Sequence, residues 1–563
     1  MLHSRKDIPF LAFIFTVFLT LQLCIGFGIF TDDPFISFRY AHNLAAGQGM
    51  VFNPGERVEG YTNFLWVILM AVGTLLNQDP VLFSKICGAL FNIMTLGLVS
   101  ILARRLTQQR PWFLIAPLLL ALDRSFIKWG GGGMETPMFG FLLTATLCLS
   151  ILETTPGYLL AGLTGGLAAM TRPEGIAILP VVLIITILFP EAPRRRREPL
   201  VMLIPYLLLL VPYHAWRFSY FCRLLPNTYH AKVIRGIPQL FRGCAYTIDF
   251  CRDHGDIALL LLLIYAFFSR RRQLTTGIFA LLFIHTAIII LVGGDWMPFN
   301  RFFAPLTPLF ALALQAGLVK LIDRGSGRRR RIVAALLLVY IAAQPWLPKS
   351  GTLTESLIRI RGRFTPGEDE RPDNRRMSKR LQWVDDSEED WMKNAIDLGL
   401  WLKHNAPPDA SIALGSVGII PYYSELYTID FFGLVTQSIA HSKARSGFQM
   451  PGHQKFDLEM VMDCQPTYII FSGKYRDDWR VNPSYWAKSL GFTMHPEFNN
   501  YYEYIRVELD GSLFGLYRRR LLAKGENQSE QLSNEHYQPH GPGRLKDPHL
   551  QPVPLLRQSI RSL

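Results

Sequence analysis

From Ile8 to Leu347 the chain is a succession of apolar runs of roughly 12 to 23 residues parted by short polar stretches, and after Leu347 such runs stop. Runs of this length suit a bilayer, where every backbone N–H and C=O must be satisfied within the segment and a helix is the simple answer. The pattern therefore predicts a polytopic helical membrane half, residues 1–347, followed by a soluble half. The net charge of +14 raises the question of nucleic acid. Its basic residues, however, gather between the apolar runs, at Arg5–Lys6, Arg104–Arg105 with Arg110, Arg194 to Arg197, Arg270 to Arg272 and Arg328 to Arg331. Cytoplasmic loops carry such clusters by the positive-inside rule, so the charge is accounted for and no nucleic-acid partner is expected.

Holding the clusters inside fixes the topology. Ile8 to Phe30 runs outward as a retained first helix, because no small-residue cleavage site precedes Thr31. Residues 31–79 stay outside, with Phe64 to Leu76 lying in the interface. Val81 to Ala103 returns, Trp112 to about Ile127 goes out, GGGGMETP turns at 130–137, and Met138 to Leu152 comes back. Tyr158 to Phe189 is split at TRPEG, residues 171–175, since Arg172 and Glu174 in mid-bilayer would be costly. Leu200 to Trp216, Ile257 to Phe268, Gly277 to Val292, Phe303 to Ile322 and Ile332 to Leu347 complete about eleven spans, with everything beyond residue 348 extracytoplasmic. Among the 7 cysteines, Cys222, Cys244 and Cys251 share one outer segment, so one disulfide is an option.

The soluble half opens with a charged linker at 348–389. A helix over Trp391 to His404 and strands at Ser411–Gly415, Leu426–Asp430, Thr467–Phe471 and Leu513–Arg518 predict a small α/β domain over 390–523. A polar, Gln-, Pro- and His-rich tail over 524–563 reads as disordered.

The chemistry concentrates in the first outer loop, TDDPFISFRYAHNLAAGQGMVFNPGERVEGYTNFLW, Thr31 to Trp66. It is too long for a connector and too aromatic for disorder. Asp32 and Asp33 stand where the first helix leaves the membrane, and adjacent carboxylates repel, which raises one pKa toward that of a useful base. METP, TRPEG, LPNTYHAK (225–232) and the GGDWMPFNRF turn (293–302) all fall on the same face as this pair. One composite site at the outer surface is the economical reading.

Taken in order, DDPFISFRYAHNLAAGQGMVFNPGERVEGYTN, GMETP, TRPEG, LPNTYHAK and GGDWMPFNRFFAPLTPL resemble the GT-C superfamily of polyprenyl-phosphate-dependent glycosyltransferases. The nearest group is the arabinofuranosyltransferase-like family acting on cell-envelope glycans. GSVGIIPYYSELYTIDFFGLV and PGHQKFDLEMV extend the resemblance to roughly residues 8 to 520. It implies inverting transfer of a sugar from a lipid phosphate to a glycan or glycolipid acceptor outside the cytoplasmic membrane. It places the base in the acidic pair, Asp32 and Asp33. His230 stands where the family usually has an aromatic residue.

Such a transfer needs a carboxylate to take the acceptor's proton and fixed cations or a metal to face the departing phosphate. Asp32 is assigned as base and Asp33 as substrate or metal contact, though the two are interchangeable at this level. Arg172, Lys232 and Arg301 are the cations for the phosphate, with a divalent cation as a further option. Arg39 either pairs with the acidic residues or binds substrate. Glu56, Glu59, Tyr61 and Asn63 are candidates for sugar hydroxyls or for loop structure. Asn227, within LPNTYHAK, is a further substrate candidate. Asp295 and Trp296 follow a glycine turn, where Trp296 either stacks on sugar or anchors in the interface. Glu135 and Glu174 read as structural partners. The alternative class is a polytopic transporter or flippase of lipid-linked sugars, against which no paired hydrophobic repeat is visible.

Overall fold

A computed structural model of the chain describes residues 7–27, 31–107, 112–190, 197–232, 237–254, 263, 272–295, 297–323, 328–343, 346, 386–443, 453, 455–471, 485–509 and 512–520. Among the described residues, five helical stretches are long and apolar enough to cross a membrane: Ile8–Gly26, Pro80–Leu106, Glu198–Phe221, Gln273–Val292 and Ala304–Leu321. Shorter apolar helices cover Phe64–Leu75, Trp112–Ala121, Thr136–Ser150, Pro173–Leu188 and Ile332–Ala343. Large apolar side chains such as Leu208 and Phe283 point outward from these helices, as suits a helical membrane protein whose solvent is lipid. The span expected at Ile257 to Phe268 falls, apart from Leu263, outside the described residues, as do residues 347–385 and 521–563.

Helix α1 (Ile8–Leu21) runs into a π turn at Gln22–Gly26, and the loop over 31–79 follows with α2 (Pro34–Ala45) and α3 (Phe64–Leu75). Helix α4 (Pro80–Leu106) starts cleanly because the Asp79 side chain accepts the Leu82 N–H at 2.7 Å. It ends on Arg104 and Arg105, where a cation complements the C-terminal end of the dipole. The single helix expected over Trp112 to Ile127 is two, α5 (Ile115–Ala121) and α6 (Arg124–Gly131). Asp123 causes the break: its carboxylate accepts the Phe126 N–H at 2.8 Å and starts a new helix. The glycine turn consequently begins late, with Gly130 and Gly131 still helical. Gly131 is required there, since a Cβ would stand 1.9 Å from the Gly26 carbonyl oxygen.

Helices α7 (Thr136–Ser150) and α8 (Thr155–Thr171) follow, and α8 stops at TRPEG as the charge pattern predicts. Arg172 is extended, a 3-10 turn spans Pro173–Ala177, and α9 (Ile178–Leu188) resumes. The membrane half continues through α10 (Leu203–Phe221), α11 (Asn227–Lys232), α12 (Ile237–Asp253), α13 (Arg272–Val292), α14 (Thr307–Asp323) and α15 (Arg328–Ala343). All seven cysteines are free, so the disulfide option is not realised. Cys244 and Cys251 sit two turns apart on α12, about 10 Å along its axis and beyond disulfide reach.

After α16 (Asp386–Asn405) come β1 (Ser411–Leu414), α17 (Ile419–Ser424), β2 (Tyr427–Asp430), α18 (Gln437–His441), β3 (Tyr468–Ile470), β4 (Tyr502–Leu509) and β5 (Ser512–Arg519). The sheet order is β2-β1-β3-β5-β4, with β1 parallel to both β2 and β3 and β5 antiparallel to β3 and β4. Strand β4 has no counterpart in the sequence reading. It is an edge strand, mostly half-buried and interrupted by Glu503, Arg506 and Glu508, so its apolar alternation is weak. Loop and soluble domain share one core: the Phe35 ring lies 5.4 Å from that of Tyr422 and 5.7 Å from that of Tyr423.

Candidate active site

The loop over 31–79 is folded by side chains of its own helix. From α2, Arg39 Nε donates to the Phe52 carbonyl at 2.9 Å, and Asn43 Nδ2 donates to those of Val51 and Phe52 at 2.9 and 3.0 Å. Tyr40 donates its hydroxyl to the Val58 carbonyl at 2.7 Å and accepts the Gly60 N–H at 2.9 Å. Polar groups of one helix thus satisfy the backbone of a loop that has no ladder of its own. The result is a rigid platform leading from Asp32 to Asn63.

At its ends the platform carries two connected ion-pair groups. In the first, Arg301 places Nε 2.5 Å from Asp295 Oδ2 and Nη1 3.4 Å from Asp33 Oδ2. Burial opposes the charge of this guanidinium, but Asp295 and Asp33 overcome that and hold its pKa above the usual arginine value. In the second, Arg172 reaches Glu135 with Nη1 at 2.6 Å and Glu174 with Nε at 2.5 Å. Glu135 also accepts Asn63 Nδ2 at 2.9 Å, and Asn63 in turn holds Ser37 Oγ at 2.9 Å. The Phe302 ring joins the two groups, with both guanidinium carbons 5.2 Å from its centroid. Asp33, Asn63, Arg172, Asp295 and Arg301 therefore meet, although nearly 270 residues separate the first from the last. Four carboxylates (Asp33, Glu135, Glu174, Asp295) surround two arginines.

Asp32 does something else. Its Oδ2 accepts the Gly418 N–H at 2.9 Å and its Oδ1 the Ile419 N–H at 2.7 Å, so it caps α17 of the soluble domain. Desolvation under that domain pushes its carboxyl up to about 7; the two N–H bonds oppose the shift and Asp33 adds to it. Arg39 is likewise spent on the interface: it donates to the carbonyls of Pro421, Glu425 and Leu426, at the far end of α17. Burial lowers its pKa to about 10.

Of the other expected residues, Glu56 accepts the Tyr427 hydroxyl at 2.5 Å, and Asn227 donates to the carbonyls of Gly433 and Leu434, each at 2.8 Å. Both dock the soluble domain. Glu59 is held by both its oxygens on Arg217, at 2.7 and 2.6 Å. Tyr61 is buried with its ring 4.8 Å from that of Tyr40. Lys232 is exposed and lies close enough to Asp430 to lower that carboxyl, against the larger effect of burial. Trp296 lies outside the described residues. Among the described residues no group of three or more His, Cys, Asp or Glu side chains is arranged to hold a metal ion. Arg217 and Phe302 escaped the sequence reading. A charge at the end of an apolar run signals Arg217, whereas nothing local distinguishes Phe302 from other aromatics in its turn.

Residues 382–516 match a family described as a domain of unknown function, DUF8728. A terminal beta-(1->2)-arabinofuranosyltransferase of Mycobacterium tuberculosis is 29% identical over 242 residues, 40% of this chain and 38% of that protein. Its namesake of Corynebacterium glutamicum is 28% identical over 344 residues, 52% of this chain and 49% of the relative. These matches thus span at most about half the length of the curated relatives. In fold, the chain superposes on ArnT from Cupriavidus metallidurans, solved with undecaprenyl phosphate, at a TM-score of 0.55 and 12% identity, covering 91% of this chain and 98% of that one. The chain is thus similar to arabinofuranosyltransferases over up to about half its length, and its fold is that of the GT-C structures. An Archaeoglobus fulgidus oligosaccharyltransferase resembles the chain in fold at a TM-score of 0.51 and 13% identity, over 92% of it and 75% of the neighbour.

Proposed function

We propose that the protein transfers a glycosyl group from a polyprenyl-phosphate donor to a glycan or glycolipid acceptor at the outer face of the cytoplasmic membrane. The observation that carries this reading is the junction of Asp33, Arg301, Asp295, Arg172 and Glu135 around Phe302. It unites a carboxylate able to accept a proton with two fixed cations, which is what displacement from a phosphate needs.

The acceptor hydroxyl attacks the anomeric carbon on the face opposite the lipid phosphate. Its proton passes to Asp33, the new C–O bond forms, and the bond to the phosphate breaks with its electron pair leaving on the phosphate oxygen. Arg172 and Arg301 supply the positive charge that faces that growing charge. Asp33 is preferred to Asp32 as base because Asp32 already accepts two backbone N–H groups from the soluble domain. An arabinofuranosyl donor is the first to try, given the two named relatives. The same reading sets about eleven spans in the membrane, with the site and the α/β domain outside.

The test is transfer, or donor hydrolysis, by purified protein in nanodiscs offered a panel of polyprenyl-phosphate sugars. Turnover by the wild type that Asp33→Asn abolishes, with donor binding retained, supports the reading. Undiminished turnover in Asp33→Asn removes this carboxylate from the chemistry.

A further inference from the structure

Gly293 and Gly294 open the GGDWMPFNRF turn with left-handed backbones, at φ of +91° and +72°, which glycine adopts without strain. Helix α12 presses on both. A Cβ on Gly293 would stand 2.7 Å from Gln239 Cγ, and one on Gly294 would stand 2.7 Å from Tyr246 Cβ. The far end of the Tyr246 side chain meets the other arm of the turn, where its hydroxyl accepts the Phe302 N–H at 3.1 Å. One buried phenol thus spans the mouth of the turn, from the residue before Asp295 to the residue after Arg301. The Asp295–Arg301 ion pair closes the same mouth. The phenol is itself held in place. Its ring stacks on that of Phe303 at 21°, with centroids 5.7 Å apart, and Phe303 stacks in turn on Phe250, at 4.2 Å and one helical turn along α12.

Within the turn, Phe299 and Asn300 are left-handed too, at φ of 60° and 50°. A bulky residue keeps that strained conformation only where its surroundings over-determine it. Here they do. Ser125 and Trp129 of α6 both donate to the Phe299 carbonyl, Trp129 at 3.3 Å, and Asn300 Nδ2 donates to Asp253 Oδ2 at 2.8 Å. The apex is therefore pinned by α6 and Asp253, and the returning arm by Tyr246. Burial and the Asp295 charge push the phenol pKa well above its ordinary value, against the Phe302 N–H, Arg301 and Arg172. The hydroxyl accordingly stays neutral among the charges of the site.

We propose that Tyr246 is a positioning residue for Arg301. By holding the Phe302 backbone it fixes the ring on which the Arg301 and Arg172 guanidinium groups lie, each 5.2 Å from the centroid. The inference rests on the glycosyl transfer proposed above, in which these cations face the lipid phosphate. Tyr246 acts through Arg301 and Phe302 and needs no contact with substrate.

The test titrates the full chain in nanodiscs with undecaprenyl phosphate and, separately, with undecaprenol, and reads both dissociation constants by native mass spectrometry. The wild type binds the phosphate more tightly than the alcohol. Tyr246→Phe keeps the ring stack and the affinity for undecaprenol, and weakens undecaprenyl phosphate about 2- to 10-fold, the worth of one neutral hydrogen bond. In an Arg301→Gln background the same change no longer alters phosphate affinity, because two residues that act as a unit are not additive. Equal weakening of both lipids marks a merely structural role and overturns the proposal. So does an unchanged affinity for the phosphate, a wild type that does not prefer it, or a full loss that persists without Arg301. If Arg301→Gln does not fold, the comparison of phosphate with alcohol decides alone. Binding is read without turnover, so a failure of glycosyl transfer is distinguishable from a failure of this inference.

Discussion

Gly418 lies so close to Asp32 that a Cβ built on it would stand 2.0 Å from the Asp32 carbonyl oxygen and 2.6 Å from its carboxyl carbon. That approach lets the Gly418 and Ile419 N–H groups reach the carboxylate. The acidic pair is thereby divided in labour, one member fastening the soluble domain and the other facing Arg301.

Gly418→Ala is expected to loosen this seam. The Asp32 backbone carbonyl, together with its carboxyl carbon, meets the new methyl, so relief requires the two halves to part, at a cost of about 1–3 kcal/mol. Faster limited proteolysis and a lowered unfolding temperature would register it. An unchanged protein would mean that the seam yields without loss.

The two aspartates should separate by phenotype. Asp33→Asn lowers turnover by about 10²–10⁴, the worth of a general base, with the unfolding temperature held. Asp32→Asn sets an NH2 group against one of the two N–H donors and destabilises by about 1–3 kcal/mol. Paired kinetic and thermal measurements on the two variants decide the matter.

The Asp32 titration has a definite sign. Its folded pKa of about 7 lies above the ordinary 3.8, so the folded state holds more protons between those values. Stability from this group is full below about 4 and is lost as pH rises through about 7. Asp430, which burial raises to about 6, acts in the same direction. Denaturant midpoints between pH 4 and 8 should fall less steeply in Asp32→Asn than in the wild type.

Arg172 neutralises Glu135 and Glu174, and all three side chains are at least four-fifths or so buried, at 12%, 4% and 21% exposure. Arg172→Ala would strand both carboxylates, at about 3–5 kcal/mol. Glu135→Gln in that background should recover part of the loss, which a double-mutant cycle on thermal stability would measure.

Much of this protein is written in local sequence. Apolar run length and the arginine clusters determine a helical membrane half, because a bilayer requires internally satisfied backbone. Arg172 and Glu174 determine the break after α8, because charge in mid-membrane is costly. The GSVG segment before α17 and the strands beside it are likewise visible, being short apolar runs bounded by glycine and proline. The break at Asp123 and the edge strand β4 are not, since a cap competes with apolar periodicity in one and charges interrupt it in the other.

The roles within the site were decided only by the tertiary structure. Asp32 and Asp33 are chemically identical neighbours, and nothing within the loop tells them apart. What separates them is Gly418, almost four hundred residues away, whose approach desolvates one carboxylate while Arg301 meets the other. Arg39 and Asn227 look in sequence like substrate contacts, yet they spend their donors on carbonyls of a domain that packs over them. A sequence fixes which groups can carry charge or a proton. Which of them do so depends on the partners that folding brings within about 3 Å.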